Sequence, residues 1–257
     1  MAMPSNAFTF DESLHSITTR GVDQKFVLTR SNQMPIASVI LFTGSGGKLD
    51  LSSSMDSINF GHGKNNFLVR TRGQFAKHGF LVATVDTPSN KKKMSITWRM
   101  GEHHTNDISA VISFLKRQAD VPVWVIGTSR GTFSAANMGI RQRSEVSGVV
   151  LTSSVTRSKP EWKIYSEYPR GVINMDLDKI TAPVYVISHE DDQCHVSPAL
   201  DIDDLAIKFT NSKNVEKHVF SGGDSPVSGS CQGLSQHGFL GIEPNVIEAI
   251  ATFIKAN

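Results

Sequence analysis

The sequence predicts an α/β protein with a mostly parallel, doubly wound sheet of about eight strands and helices on both faces. Short apolar runs rich in Val and Ile alternate along the chain with longer segments of helical periodicity. These runs show little alternation between polar and apolar residues, which is typical of strands covered on both faces. A chain of 257 residues fits one sizeable domain, so we expect a single domain over residues 1–257.

The elements follow in a β-β-(βα) series. Residues 8–30 alternate polar and apolar side chains and predict an antiparallel pair of edge strands. Further strands are predicted at 37–42, 80–85, 121–126, 147–152, 183–188 and 217–220. Helices are predicted at 66–78, 105–119, 134–143, 198–209 and 244–255. The last helix carries Val246, Ile247, Ile250 and Phe253 on one stripe, so it should pack onto the sheet.

Charge and composition exclude several classes of protein. The chain has 26 basic and 24 acidic residues, so no strong field favours nucleic acid or an anionic membrane as a partner. The run Lys91-Lys92-Lys93 is interpreted as a solvated loop. No apolar stretch is long enough for a membrane helix, so we expect no membrane insertion. The two cysteines cannot supply a four-ligand zinc site, and adjacent His103 and His104 do not share a helix face, so we expect no metal and no cofactor.

A candidate nucleophile lies in the segment Gly127-Thr128-Ser129-Arg130-Gly131. A Gly-x-Ser-x-Gly pattern is weak evidence alone, because glycine and serine are common residues. Here it follows a predicted buried strand and precedes a predicted helix, which is the strand-turn-helix setting that exposes a serine oxygen at a sheet edge. The segment therefore predicts Ser129 as a nucleophile.

A serine nucleophile needs a base, normally a histidine oriented by a carboxylate. The cluster His189-Glu190-Asp191-Asp192 follows the predicted strand at 183–188. His237 follows a Gly- and Ser-rich loop after the last predicted strand. The chain order is therefore serine, acid, histidine.

With these residues the chain resembles the α/β-hydrolase family over nearly its whole length, and within it serine esterases with a small or absent lid. The acid loop of that family commonly reads Gly-x-x-Asp-x-x-Val-Pro, which implies Asp192 as the acid; Asp191 and Glu190 stay open as alternatives. The segment His237-Gly238-Phe239 matches the family's histidine segment. The usual lid position corresponds to 156–178, which is short enough to imply only a minimal cap.

The resemblance also implies two backbone donors for an oxyanion hole. One is the N–H of Arg130, directly after the nucleophile. The other is the N–H of Ser45, with Gly46 as the alternative, in a loop that resembles the family's His-Gly-x-Gly-Gly segment but has Thr43 in place of histidine. This loop lacks the remaining residues of a nucleotide-binding motif. Gly46, Trp98 and Trp162 are the predicted substrate contacts.

Both cysteines lie beside predicted catalytic residues. Cys194 is two residues after Asp192, and Cys231 is six residues before His237. A disulfide would fasten the acid loop to the histidine loop, whereas two free thiols are the alternative. A disulfide, together with the doubled start Met1-Ala2-Met3 that suggests a removed leader, favours an exported protein over a cytoplasmic one.

The resulting hypothesis is a serine hydrolase that cleaves a small to medium carboxylic ester through an acyl-enzyme. The alternatives are a peptidase, thioesterase or acyltransferase with the same residues, or a catalytically silent binding protein of the same fold. The expected partner is a small-molecule ester; the oligomeric state stays open.

Overall fold

The computed structural model of the chain describes residues 9–54 and 57–257. The doubled start Met1-Ala2-Met3 lies outside these residues. The strands are β1 (Phe10–Thr19), β2 (Val22–Ser31), β3 (Ala37–Phe42), β4 (Ser52–Ser53), β5 (Ile58–Asn59), β6 (Phe80–Val85), β7 (Val123–Thr128), β8 (Gly148–Thr152), β9 (Val184–His189) and β10 (Val215–Phe220). The helices are α1 (Phe67–Lys77), α2 (Ile96–Arg99), α3 (Glu102–Gln118), α4 (Gly131–Arg141), α5 (Ile202–Ala206) and α6 (Glu243–Ala256).

The main sheet has eight strands in the order β1-β2-β6-β3-β7-β8-β9-β10, and β4 pairs only with β5. β1 and β2 form the predicted antiparallel edge pair, and β2 joins β6 antiparallel. All other neighbours in the main sheet are parallel. The predicted architecture of a mostly parallel eight-stranded sheet is therefore confirmed.

The strand that leads to the nucleophile is longer than predicted at its carboxyl end. Gly127 and Thr128 still pair with Leu151 and Thr152 of β8, so the strand reaches the residue before Ser129. Ser129, the predicted nucleophile, therefore lies at the very edge of the sheet rather than three residues beyond a strand.

Helices cover both faces of the sheet, as predicted. α3 and α4 contribute Ile108, Val111, Leu115 and Phe133 to an apolar cluster on one face. α1 and α6 contribute to the cluster on the other face, where the predicted stripe of α6 is buried. This double covering explains why the central strands β3, β6 and β7 are buried along their whole length and mostly apolar.

Four helical predictions differ from the structure. α3 begins at Glu102, three residues before its predicted start. The segment 198–209 holds only a 3₁₀ turn, Ala199–Asp201, and the five-residue α5. α2 lies between the predicted strand at 80–85 and the predicted helix at 105–119, where no helix was predicted, and begins after Ser95, whose side chain accepts a hydrogen bond from Trp98 N. α4 begins at Gly131, three residues early, because Arg130 already has helical backbone angles.

The segment 156–178 is described throughout and contains 3₁₀ turns but no α-helix or strand. It folds back onto the body through buried Val172, whose N–H donates to Val155 O over 2.9 Å. Among the helices of the described residues, none is long and apolar enough to cross a membrane.

Candidate active site

Ser129 lies in a tight turn between β7 and α4 and has a left-handed φ of 53°. A Cβ atom at Gly127 would lie 2.4 Å from Gly131 O, and one at Gly131 would lie 2.0 Å from Phe42 O. Both distances are far below van der Waals contact, so the turn requires glycine on both sides. The turn is also held by Thr132, whose N–H and hydroxyl both donate to Ser129 O.

His237 and Asp192 form a buried pair. Their Nδ1 and Oδ2 atoms are 2.8 Å apart. Cys194 N donates to the other carboxylate oxygen over 2.8 Å. Asp192 is therefore the carboxylate that orients His237, whereas Glu190 and Asp191 are exposed.

Ser197 lies against this pair. Its hydroxyl oxygen is 3.1 Å from Asp192 Oδ2 and 3.1 Å from His237 Nδ1. The hydroxyl donates to the carboxylate, because Nδ1 of the histidine carries its own proton toward the same oxygen. A buried carboxylate with three donors is held in one orientation.

The histidine loop is fastened at three points. Ser153 Oγ donates to His237 O over 2.9 Å. Arg70 Nη2 donates to Gly238 O over 2.6 Å and pairs with Glu243 at the start of α6. The third point is a disulfide between Cys194 and Cys231, which joins the acid loop to the histidine loop.

Ser129 and His237 line the same cavity of about 1230 Å³. His237 Nε2 is buried and has no hydrogen-bond partner among the residues that the structure describes. The cavity wall therefore contains both the serine and the histidine, and the Nε2 atom of the histidine is not committed to another described residue.

The predicted substrate contacts separate into two groups. Gly46 and Trp162 line the cavity together with Ser45 and Arg130. Trp98 does not line it: its indole ring packs beside His103 and under Lys91, whose Nζ is 4.1 Å from the ring centroid. The predicted contact at Trp98 is therefore not found, because α2 turns this side chain away from the cavity.

The predicted oxyanion loop, residues 43–47, runs beside the nucleophile. A Cβ atom at Gly44 would lie 2.9 Å from Ser129 Cβ, so only glycine fits there. Gly47 N donates to Gly44 O, and Ser45 takes a left-handed φ of 50°. Within the described chain, the N–H groups of Ser45 and Arg130 form no hydrogen bond, so both are free to donate to a ligand.

A buried arginine, Arg99, donates a hydrogen bond to the backbone of this loop. Arg99 Nη2 donates to Thr43 O over 3.0 Å, and Nη1 donates to Ser134 Oγ over 3.0 Å. Arg99 is completely buried, and desolvation together with the charge of Arg130 lowers its pKa to about 9. The guanidinium is still charged at neutral pH and attracts the carbonyl oxygens of the loop toward itself.

Asp192, Cys194 and His237 place potential metal-ligand atoms within 4.8 Å of one another. Cys194 Sγ is in the disulfide, however, and His237 Nδ1 is bonded to Asp192. These atoms are therefore already committed to each other, and the cluster does not fit a metal ion.

Two residues at this site were not predicted. Arg99 belongs to a short helix with no apolar period, and Ser197 is one of several serines near the acid loop. A single charged side chain in the otherwise uncharged segment 94–100 is the one sequence signal that points to Arg99.

Comparison with solved structures identifies the fold of the chain. The sequence itself matches no model of a known protein family and no curated protein. Solved structures match over most of the chain. The esterase Pf2001 from Pyrococcus furiosus has a TM-score of 0.64 at 17% identity, over 96% of this chain and 93% of its own. The chain has the α/β-hydrolase fold.

Two further α/β-hydrolase structures are similar. Est1E from Butyrivibrio proteoclasticus, solved with ferulic acid bound, has a TM-score of 0.65 at 14% identity, over 94% of this chain and 98% of its own. A cold-adapted esterase from an Arctic intertidal metagenomic library has a TM-score of 0.61 at 13% identity, over 96% of both chains. In an α/β-hydrolase fold, ligands bind outside the carboxyl ends of the strands, which is where Ser129, Asp192 and the oxyanion loop lie.

Proposed function

We propose that this protein is a serine hydrolase that cleaves carboxylic esters of small to medium size through an acyl-enzyme intermediate. The observation that carries the proposal is the buried His237–Asp192 pair, because His237 lines the same cavity as Ser129 and its Nε2 has no hydrogen-bond partner among the described residues. The similar solved structures that are called esterases agree with it.

In the acylation step, Ser129 Oγ attacks the ester carbonyl carbon while its proton passes to His237 Nε2. The carbonyl oxygen becomes an oxyanion and accepts hydrogen bonds from the N–H groups of Arg130 and Ser45. When the tetrahedral intermediate collapses, the bond to the alcohol oxygen breaks. That oxygen takes the proton from Nε2, so the alcohol leaves neutral and the acyl group stays on Ser129.

In the deacylation step, water replaces the alcohol. His237 Nε2 accepts a proton from the water as its oxygen attacks the acyl carbon. Collapse of the second intermediate breaks the bond to Ser129 Oγ, which recovers its proton from Nε2. The carboxylic acid is released and the enzyme returns to its starting state.

Asp192 supports both steps, because it holds the proton of His237 on Nδ1 and leaves Nε2 free to act as a base. It also stabilises the imidazolium that forms during each transfer. The hydroxyl of Ser197 and the N–H of Cys194 keep this carboxylate in place. Gly46 and Trp162 are the proposed contacts for the substrate.

The test is the turnover of short-chain 4-nitrophenyl esters by the purified protein. Ser129→Ala and His237→Ala should each lower kcat by a factor of roughly 10⁴ or more, because either change removes the acyl-transfer route. Ser113→Ala, an exposed serine on α3, is the matched control and should keep full activity. Wild-type protein without turnover would instead favour a silent binding protein.

We further propose that the protein works in an oxidising compartment after export. The Cys194–Cys231 disulfide supports this, since disulfides persist in such compartments and are rare where thiols are kept reduced.

A further inference from the structure

The wall of the cavity carries an excess of positive charge. Four cationic side chains line it: Lys48, Lys93, Arg130 and Lys163. Lys48 is paired with Asp50 over 2.7 Å. The other three have no ion-pair partner in the described part of the chain. Among the described lining residues, Glu161 is the single acid.

This excess is local. The whole chain has 26 basic and 24 acidic residues, so the cations of the cavity do not reflect a strongly basic protein. A cleft lined by one sign of charge focuses the field and raises the local concentration of ligands of the opposite sign.

Arg130 places its guanidinium within this wall. Its Cζ lies 4.3 Å from the ring centroid of Trp162, and both side chains line the cavity. Stacking on the indole orients the planar group without neutralising it. Burial lowers the pKa of Arg130, which shows that the charge is partly removed from water. A half-buried guanidinium without an acidic partner matches a carboxylate.

Lys93 lines the cavity beside the predicted oxyanion loop. The next residue, Met94, donates its N–H to Gly46 O over 2.8 Å, so Lys93 is fastened to the oxyanion loop. Lys92 and Lys93 are both exposed, but of the three lysines in the basic run only Lys93 lines the cavity, while Lys91 covers the Trp98 ring. Lys93 therefore lines the cavity, although the sequence analysis interpreted the whole run as a solvated loop.

We propose that the ester cleaved at this site carries a carboxylate, in its acyl part or its alcohol part, which Arg130 and Lys93 bind. This inference rests on the proposed function. Because one cation directly follows the nucleophile and the other adjoins the oxyanion loop, the carboxylate lies within a few bonds of the ester carbonyl.

Three chromogenic esters test the proposal: 4-nitrophenyl hexanoate, mono-4-nitrophenyl adipate and 3-carboxy-4-nitrophenyl hexanoate. The first is neutral, the second has a carboxylate on the acyl side and the third has one on the alcohol side. At low ionic strength we expect kcat/KM for at least one anionic ester to exceed that for the neutral ester by about tenfold or more. Added salt should reduce this ratio.

The variants Arg130→Gln and Lys93→Gln should each lower the ratio of anionic to neutral kcat/KM, whereas Lys92→Gln should leave it unchanged. The proposal would be overturned if kcat/KM for the neutral ester were equal to or higher than that for both anionic esters. It would also be overturned if the ratio of anionic to neutral kcat/KM were unchanged in both Arg130→Gln and Lys93→Gln. In either case the proposed esterase function would stand. Failure to turn over any of the three esters would contradict that function, and the anion preference with it.

Discussion

Arg99 is a charged residue in the interior of the protein, so its position requires a physical explanation. A fully buried guanidinium is costly, since it loses its water and here gains no carboxylate within the described chain. Its Nε atom has no partner among the described residues, and its other nitrogens bond to Thr43 O and Ser134 Oγ. We therefore interpret the charge of Arg99 as a means of shaping the predicted oxyanion loop. The guanidinium attracts the carbonyl oxygens of this loop inward, so that the N–H groups of the loop can face the cavity.

We expect Arg99→Met to lower kcat for a neutral 4-nitrophenyl ester by a factor of about 10 to 100 with little change in KM. The reason is that loosening one oxyanion donor weakens binding of the transition state more than binding of the substrate. Arg99→Lys should recover part of the rate, because it keeps a cation near the loop. Initial rates, with a urea unfolding curve for each variant, provide the measurement.

The matched control is Arg141→Met at the end of α4, where the guanidinium bonds to Asn137 outside the cavity. This variant should keep kcat. A folded Arg99→Met protein with wild-type kcat would show that the loop does not depend on this arginine.

At the scale of elements, two loops from different strands must meet. The acid loop follows β9, whereas the histidine loop follows β10 after a long segment without regular structure. The disulfide crosses between them with a sequence separation of 37 residues. It joins positions two residues from Asp192 and six residues from His237, so it restrains the pair as well as the fold.

The double variant Cys194→Ser/Cys231→Ser should lower the free energy of unfolding by roughly 3 to 4 kcal/mol in the chain-entropy model. Its kcat should also fall, because Asp192 and His237 gain freedom to separate. Urea unfolding and ester turnover measure the two effects. Intact-mass analysis after alkylation without reductant is the control: wild-type protein should take up no alkyl group. Two alkylated thiols in that sample would contradict the bridge.

The elements show which features a sequence can reveal. β3 and β6 were predicted with their observed ends, because a strand buried on both faces is mostly apolar and ends where the apolar run ends. α2 was not predicted, since four residues are too few to show a helical period. The end of β7 was placed two residues early, because Gly127 and Thr128 are polar or small and belong to the strand only through their pairing with β8.

For the whole molecule, topology assembles the site. Parallel strands end at one edge of the sheet, so the loop 43–47 after β3, Ser129 after β7 and Asp192 after β9 are brought together. Chain order and local motifs led to the prediction of Ser129 and His237, and the fold places both residues on the lining of one cavity. The choice of Asp192 over its two acidic neighbours became clear only with the burial of each carboxyl group.

Other parts of the site depend on contacts that no local pattern reveals. Arg99 and Thr43 are 56 residues apart in sequence, and Ser197 and His237 are 40 apart. At Trp98 a local pattern predicted a contact that the structure does not have. This aromatic residue was expected to touch substrate, but in α2 its ring packs against Lys91 instead.

The central claim is that Ser129 is a nucleophile activated by His237. Labelling of the intact protein with a fluorophosphonate, followed by peptide mapping, tests it most directly. The account predicts one adduct per chain, on Ser129, with labelling lost in His237→Ala and kept in His103→Ala, which changes a histidine outside the cavity. An adduct on another residue, or no adduct on folded wild-type protein, would contradict it.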